Sequence, residues 1–174
     1  MILGLTGTFG AGKSSLAKIL KKHGYAQYVM SDILREELKK RKMEETRDNL
    51  LNLGNEWRAQ FGHGVIIDKI IEKARRENKT KILIDGLRTK EEIEAIKKSN
   101  GKVIGVDSSL EIRYQRIKKR GNSKDDITFE KFKEQEKNEN LKECINKADY
   151  VLFCDGNLDD LNREAEKMMG ELKL

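Results

Sequence analysis

A chain of 174 residues is long enough to bury a substantial core and short for two independent domains; with 37% hydrophobic and 38% charged residues it is a folded chain with a heavily solvated surface, not a disordered one. The longest apolar runs, such as Val65-Ile66-Ile67, are far too short to cross a bilayer, and Met1-Ile2-Leu3-Gly4 leads straight into a glycine-rich motif rather than a cleavable leader, so a cytoplasmic location is expected. The net charge of +6 raises the question of nucleic acid, yet Lys and Arg are mixed with Glu, as in Glu36-Glu37-Leu38-Lys39-Lys40, which is the pattern of solvated helix faces. Nucleic acid is therefore not an expected partner, and the modest positive excess suits a site that gathers phosphates.

Ile2 to Thr6 predicts a buried strand, and it opens into Gly7-Thr8-Phe9-Gly10-Ala11-Gly12-Lys13-Ser14, the G-x-x-x-x-G-K-[ST] pattern of a phosphate-binding loop. The motif needs a strand before it and a helix after it, and Lys13 to His23 supplies the helix, with Leu16, Ile19 and Leu20 on one face. The expected donor-nucleotide site is this loop: Gly7, Phe9, Gly10, Ala11, Gly12, Lys13, Ser14 and Ser15. Glycines let the backbone approach phosphate, Lys13 neutralises β- and γ-phosphate charge, and the Ser14 hydroxyl ligates Mg²⁺.

Further along, Ala26 to Met30 reads as a second strand, followed by three amphipathic helices over Asp32 to Lys42, Thr46 to Phe61 and Val65 to Asn78, with Gly62-His63-Gly64 as a loop. Lys81 to Asp85 is a third strand that ends in a carboxylate. In a parallel sheet this end lies beside the phosphate loop, where Asp85 holds Mg²⁺ through water as a Walker B residue does. Lys102 to Asp107 is a fourth strand and Tyr150 to Cys154 a fifth. Strands alternating with helices predict an α/β fold: three α/β/α layers on a five-stranded parallel sheet.

Arg113, Arg116 and Arg120 recur at helical spacing, so they share a face, and permanently charged planar guanidinium groups are suited to spreading the charge of a transferring phosphoryl group. Arg116 and Arg120 are the expected catalytic pair. Arg120 to Thr128 is polar and irregular, the start of an expected short lid over about residues 120–140, with Lys124 available to close it. Asn146-Lys147-Ala148-Asp149 matches the guanine-reading N-K-x-D pattern, but it precedes a strand instead of ending one, and so reads as a decoy. Cys144 and Cys154 are expected to remain unbridged in a reducing compartment.

Four stretches resemble the nucleoside monophosphate kinases, in particular the small archaeal adenylate-kinase-related proteins, with a secondary likeness to dephospho-CoA kinases. They are Ser31-Asp32-Ile33-Leu34-Arg35, Asp85-Gly86-Leu87-Arg88, Arg113 to Arg120, and Ala148-Asp149-Tyr150-Val151 through Asp155-Gly156-Asn157-Leu158. The resemblance implies a single P-loop kinase domain over residues 1–174 with an acceptor-binding helical region at about 31–78. Asp32 and Arg35 would then help hold the acceptor, Arg88 grip its phosphate, and Asp155 lie near the donor base. Leu53-Gly54-Asn55-Glu56-Trp57-Arg58 is similar to G-N-E-x-R text in the archaeal proteins, and it places Arg58 among the acceptor-binding residues. The implied activity is transfer of the γ-phosphoryl group of ATP, with Mg²⁺, to a small nucleotide acceptor, by a chain taken as a monomer. The alternatives are dephospho-CoA as acceptor, or a regulatory ATP-binding module without catalysis.

Overall fold

The computed structural model describes residues 1–121, 127–137 and 141–174. Strands β1 (Ile2–Gly7), β2 (Ala26–Val29), β3 (Ile82–Asp85), β4 (Lys102–Asp107) and β5 (Tyr150–Phe153) form one sheet in the order β2-β3-β1-β4-β5, with every neighbouring pair parallel. Helices α1 (Lys13–Lys22), α2 (Met30–Lys40), α3 (Arg47–Phe61), α4 (Val65–Arg76), α5 (Lys90–Lys98), α6 (Leu110–Arg120), α7 (Phe129–Lys137), α8 (Leu141–Asn146) and α9 (Leu158–Leu172) complete it. The five-stranded parallel sheet expected from the alternation is present. None of the helices among the described residues is long and apolar enough to cross a membrane.

Side chains of each strand alternate between two cores. Leu3 and Leu5 of β1, Leu83 of β3, and Ile104 and Val106 of β4 face α1 and α9, meeting Leu16, Leu20, Leu161, Ala165 and Met168. Ile82 and Ile84 of β3 and Val103 of β4 face the other way, onto Leu38, Trp57, Ile66, Ile70 and Ile96 of α2 to α5. Both faces of the sheet are thus covered, which is why its strands read as continuous apolar runs.

Strand order places the chemistry. β1 is central, and the chain passes to one side of it for β2 and β3 and to the other for β4 and β5. The loop after β1 therefore leaves the sheet at a topological switch point, between the carboxyl ends of β3 and β4, where crevices form in open α/β sheets. Differences from the expected boundaries are small. β2 passes into α2 with no loop, since Val29 is the residue before the helix, so α2 begins at Met30 rather than Asp32.

Candidate active site

α1 begins at Gly12, which has φ of 107° and supplies no side-chain cap, so the first-turn N–H groups of the helix are left to the loop side. The loop is packed tightly from behind: a Cβ on Gly10 would meet the Arg113 carbonyl at 2.8 Å and Ile117 at 3.0 Å, and its φ is +82°. Lys13 Nζ donates to the carbonyls of Gly7 at 2.7 Å and Thr8 at 2.9 Å, which holds the ammonium at the loop's inner rim. Ser14 is exposed in the first turn of α1 and Ser15 half-buried beside it.

The two strands flanking β1 end in carboxylates with different surroundings. Asp85 closes β3, its Oδ2 accepting from Gln27 Nε2 at 2.9 Å; burial pushes its carboxyl above the usual range, opposed by the Gln27 hydrogen bond and the Lys13 charge. Asp107 closes β4, and its Oδ1 accepts from Thr8 Oγ1 at 2.7 Å and from the Ser108 N–H at 2.9 Å. Asp107 thus ties the loop to β4, and Asp85 stands at the end of β3 with one oxygen on Gln27. Oxygen donors from Ser14 and Asp85 fit Mg²⁺, which characteristically takes one or two protein ligands and completes its shell with water and substrate phosphates.

α6 delivers its three arginines to the loop in three different ways. Arg113, 3% exposed, donates through Nε to the Ser108 carbonyl at 2.8 Å and through Nη1 to the Phe9 carbonyl at 3.4 Å, with Asp107 at 3.8 Å. Arg116 spans the loop and the β5–α9 turn, donating to the Gly156 carbonyl at 2.8 Å and to the Ala11 carbonyl at 3.4 Å. The Arg120 guanidinium lies 5.3 Å over the Phe9 ring. A crevice of about 200 Å³ opens beside Arg116, between the loop and the β5–α9 turn, lined by Ala11, Gly12, Ser15, Arg116, Gly156 and Leu158 among others.

Asp155, expected near the donor base, has its carboxylate turned away to Ser108 Oγ at 2.6 Å and the Ser109 N–H at 2.7 Å, bonds that hold its carboxyl below the usual range. It joins the β5–α9 turn to the start of α6, and the crevice wall beside it is made instead by Gly156 and Asn157.

On the other side of the loop, Thr6 Oγ1 donates to the Leu87 carbonyl at 2.9 Å and pins the turn that carries the exposed Arg88. The buried Glu92 of α5 accepts the Arg88 backbone N–H at 2.8 Å and pairs with Arg58 Nη2 of α3 at 3.0 Å, so the Arg58 guanidinium is held beside the turn that follows β3. Arg35 is held on α2 by Asp32 at 2.6 Å, Ser31 at 2.7 Å and Glu45 at 2.6 Å. Trp57 is 4% exposed in the core with Lys69 over its ring, and His63 is exposed in its loop. Asn55 and Gln60 are exposed on α3.

The expected lid falls partly outside the described residues, which exclude 122–126, Lys124 among them. Within the expected span lies α7, whose Phe132 is 2% exposed, 6.3 Å from the Phe9 ring and 5.7 Å from the Tyr114 ring. The N-K-x-D text is at the opposite end of the sheet: Asp149 precedes β5, accepts the Val103 N–H at 2.7 Å and pairs with Lys97 at 3.2 Å. In a parallel sheet, strand starts and the phosphate loop lie at opposite edges, so Asp149 has a strand-pinning role. Cys144 and Cys154 are buried and unbridged.

Sequence reading named Arg113 as part of the arginine stripe without a role of its own, and missed Thr8, Asp107, Gln27 and Glu92. Asp107 carried a signal, since like Asp85 it ends an apolar strand. Glu92 carried the Thr89-x-x-Glu92 capping-box pattern at the start of α5, but neither its pairing with Arg58 nor that of Gln27 with Asp85 left a signal, because the partners lie on other elements, 34 and 58 residues away.

Fold and loop together define a P-loop nucleotide-binding domain. The chain belongs to the AAA-domain P-loop family, whose model matches residues 3–143, and its relatives over nearly the full length are UPF0200 proteins. The UPF0200 protein of Sulfurisphaera tokodaii is 34% identical over 172 residues, covering 97% of this chain and 95% of its own. That of Hyperthermus butylicus is 32% identical over 176 residues, covering 99% and 95%. Among solved structures, TT1252 from Thermus thermophilus superposes with a TM-score of 0.63 at 20% identity, covering 99% of this chain and 97% of its own. Shikimate kinase from Bacteroides thetaiotaomicron gives 0.62 at 14%, covering 100% and 99%, and dephospho-CoA kinase from Campylobacter jejuni 0.59 at 19%, covering 98% and 96%. At these identities the likeness is one of fold.

Proposed function

We propose that the protein is an ATP- and Mg²⁺-dependent phosphotransferase that moves the γ-phosphoryl group of ATP to the phosphate of a nucleoside or deoxynucleoside monophosphate. One observation carries the reading: cationic residues stand on both sides of the phosphate loop, Arg116 and Arg120 against it from α6, and Arg58 of α3 held by Glu92 at the turn after β3 that carries Arg88. A switch or motor needs a furnished donor side, whereas a kinase needs the second side as well.

In this reading the loop N–H groups and Lys13 bind the donor phosphates, and the crevice under Arg116 receives the base. Ser14 and Asp85 would hold Mg²⁺, which when bound neutralises charge on the β- and γ-phosphates. Arg88 and Arg58 seat the acceptor phosphate, Asp32 and Arg35 border the acceptor region, and Arg120 offsets charge on the phosphoryl group in flight. An acceptor oxygen forms the new P–O bond as the bond to the β-phosphate bridging oxygen breaks and ADP leaves. A phosphate acceptor ionised at neutral pH has no proton to surrender, so no protein base is required.

The test is a panel of nucleoside monophosphates, deoxynucleotides and dephospho-CoA, each incubated with labelled ATP and Mg²⁺. A labelled nucleoside diphosphate is the expected product. Label transferred to dephospho-CoA alone would redirect the reading to that acceptor, and hydrolysis without transfer would favour a regulatory ATP-binding module. Lys13→Ala and Arg88→Ala are expected to lower kcat/KM by about a thousandfold, the scale of a lost transition-state arginine.

A further inference from the structure

Glu92 makes more bonds than a helix cap requires. It completes the α5 capping box with Thr89, whose N–H it accepts at 3.3 Å, and it also takes the Arg88 N–H at 2.8 Å and Arg58 Nη2 at 3.0 Å. A capping box works equally well with a neutral glutamine. A carboxylate only 2% exposed is costly unless it has a cationic partner, and that partner reaches it from α3, 34 residues away.

The other terminal nitrogen of Arg58 comes up against Gly54, one turn back along α3. A Cβ at position 54 would stand 3.0 Å from Arg58 Nη1. Glycine is a poor helix former, and Gly54 is not among the glycines with positive φ, so its backbone conformation does not call for it. The missing side chain is what lets Nη1 come this close to the helix. Arg58 Nε, meanwhile, is buried without a hydrogen-bond partner. An arrangement that leaves one donor unsatisfied while fixing the two terminal nitrogens, one over Gly54 and one on Glu92, favours placement over stability.

We propose that Gly54 and Glu92 are positioning residues that lock Arg58 and the Arg88 backbone into one clamp for the acceptor phosphate, an inference that rests on the acceptor seat described above. Glu92 holds the clamp from the side of α5 and the β3 turn; Gly54 sets the height of the guanidinium on α3. Neither touches the substrate.

Two variants separate positioning from simple structural support. Glu92→Gln keeps a capping oxygen and loses the ion pair; Gly54→Ala improves the helix and displaces only the end of a flexible side chain. Steady-state kinetics with AMP, CMP and dephospho-CoA as acceptor probes are expected to show acceptor KM raised about tenfold in both, with ATP KM within about twofold of the wild type. The thermal midpoint of Gly54→Ala is expected to be equal to or above that of the wild type, a combination a merely structural glycine would not give. Unchanged acceptor KM in both variants, or ATP KM rising in step with it, overturns the inference alone. A wild type that turns over none of the three probes overturns the reading of the seat and the inference with it.

Discussion

Asp85 and Lys13 set the electrostatics of the loop between them. Burial raises the Asp85 carboxyl above its ordinary value of 3.8. For an acid raised in the folded state, the native form binds the proton more tightly than the unfolded chain. Its contribution to stability is therefore full below 3.8 and is lost as pH rises through the folded value. At neutral pH the ionised Asp85 is an expense to the fold, kept where a cation would relieve it. Asp85→Asn is accordingly expected to raise the thermal midpoint at pH 7, with the gap to the wild type closing as pH falls through the folded value towards 3.8, while phosphoryl transfer drops by about ten- to a hundredfold, as for a group that holds a metal through water. Melting curves across pH, set beside activity, check both halves; a lower midpoint at pH 7 would contradict the burial argument. At this scale the sequence was informative. The positions of Lys13, Ser14 and Asp85 are legible because they follow from a local pattern, strand then loop or strand then carboxylate.

At the scale of elements, α6 shows why spacing fixes a face but not a role. Helical periodicity puts Arg113, Arg116 and Arg120 together, yet packing divides them: Arg113 is buried under the loop, Arg116 bridges to the β5–α9 turn, and Arg120 lies over Phe9. Arg113→Met is expected to cost about 3 kcal/mol of stability, because it strands the carbonyls of Ser108 and Phe9 and weakens the support of Asp107. Arg116→Met, half-exposed, should leave the denaturation midpoint nearly in place and weaken ATP binding instead. Denaturant titration and nucleotide titration of the two variants separate these outcomes, and equal stability losses would erase the distinction. α7 was outside what the sequence reading distinguished, since Phe132 in a charged segment carries no sign that it will fill the space between Phe9 and Tyr114.

On the scale of the whole molecule, the parallel sheet gives its two edges different work. Strand ends gather the loop, Asp85, Asp107 and the Arg88 turn, whereas strand starts carry anchoring bonds such as those of Asp149 to Val103 and Lys97. Asp149→Asn is thus expected to leave the preference between ATP and GTP unaltered and to lower stability by about 1–2 kcal/mol. Competition binding with the two nucleotides checks the first statement and denaturant titration the second. A switch in nucleotide preference would return the N-K-x-D text to the binding site.

The sequence by itself determined the fold class, the phosphate loop and the carboxylate at the end of β3, because each is written in periodicity or in a contiguous motif whose backbone geometry is local. The tertiary structure decided the rest. It buried Arg113 rather than Arg116, turned Asp155 to the start of α6, joined Gln27 to Asp85, and brought Glu92 and Gly54 onto Arg58. These pairings depend on which elements the strand order makes neighbours, and a hydrogen bond between residues 34 or 58 positions apart leaves no periodic trace in the chain that forms it.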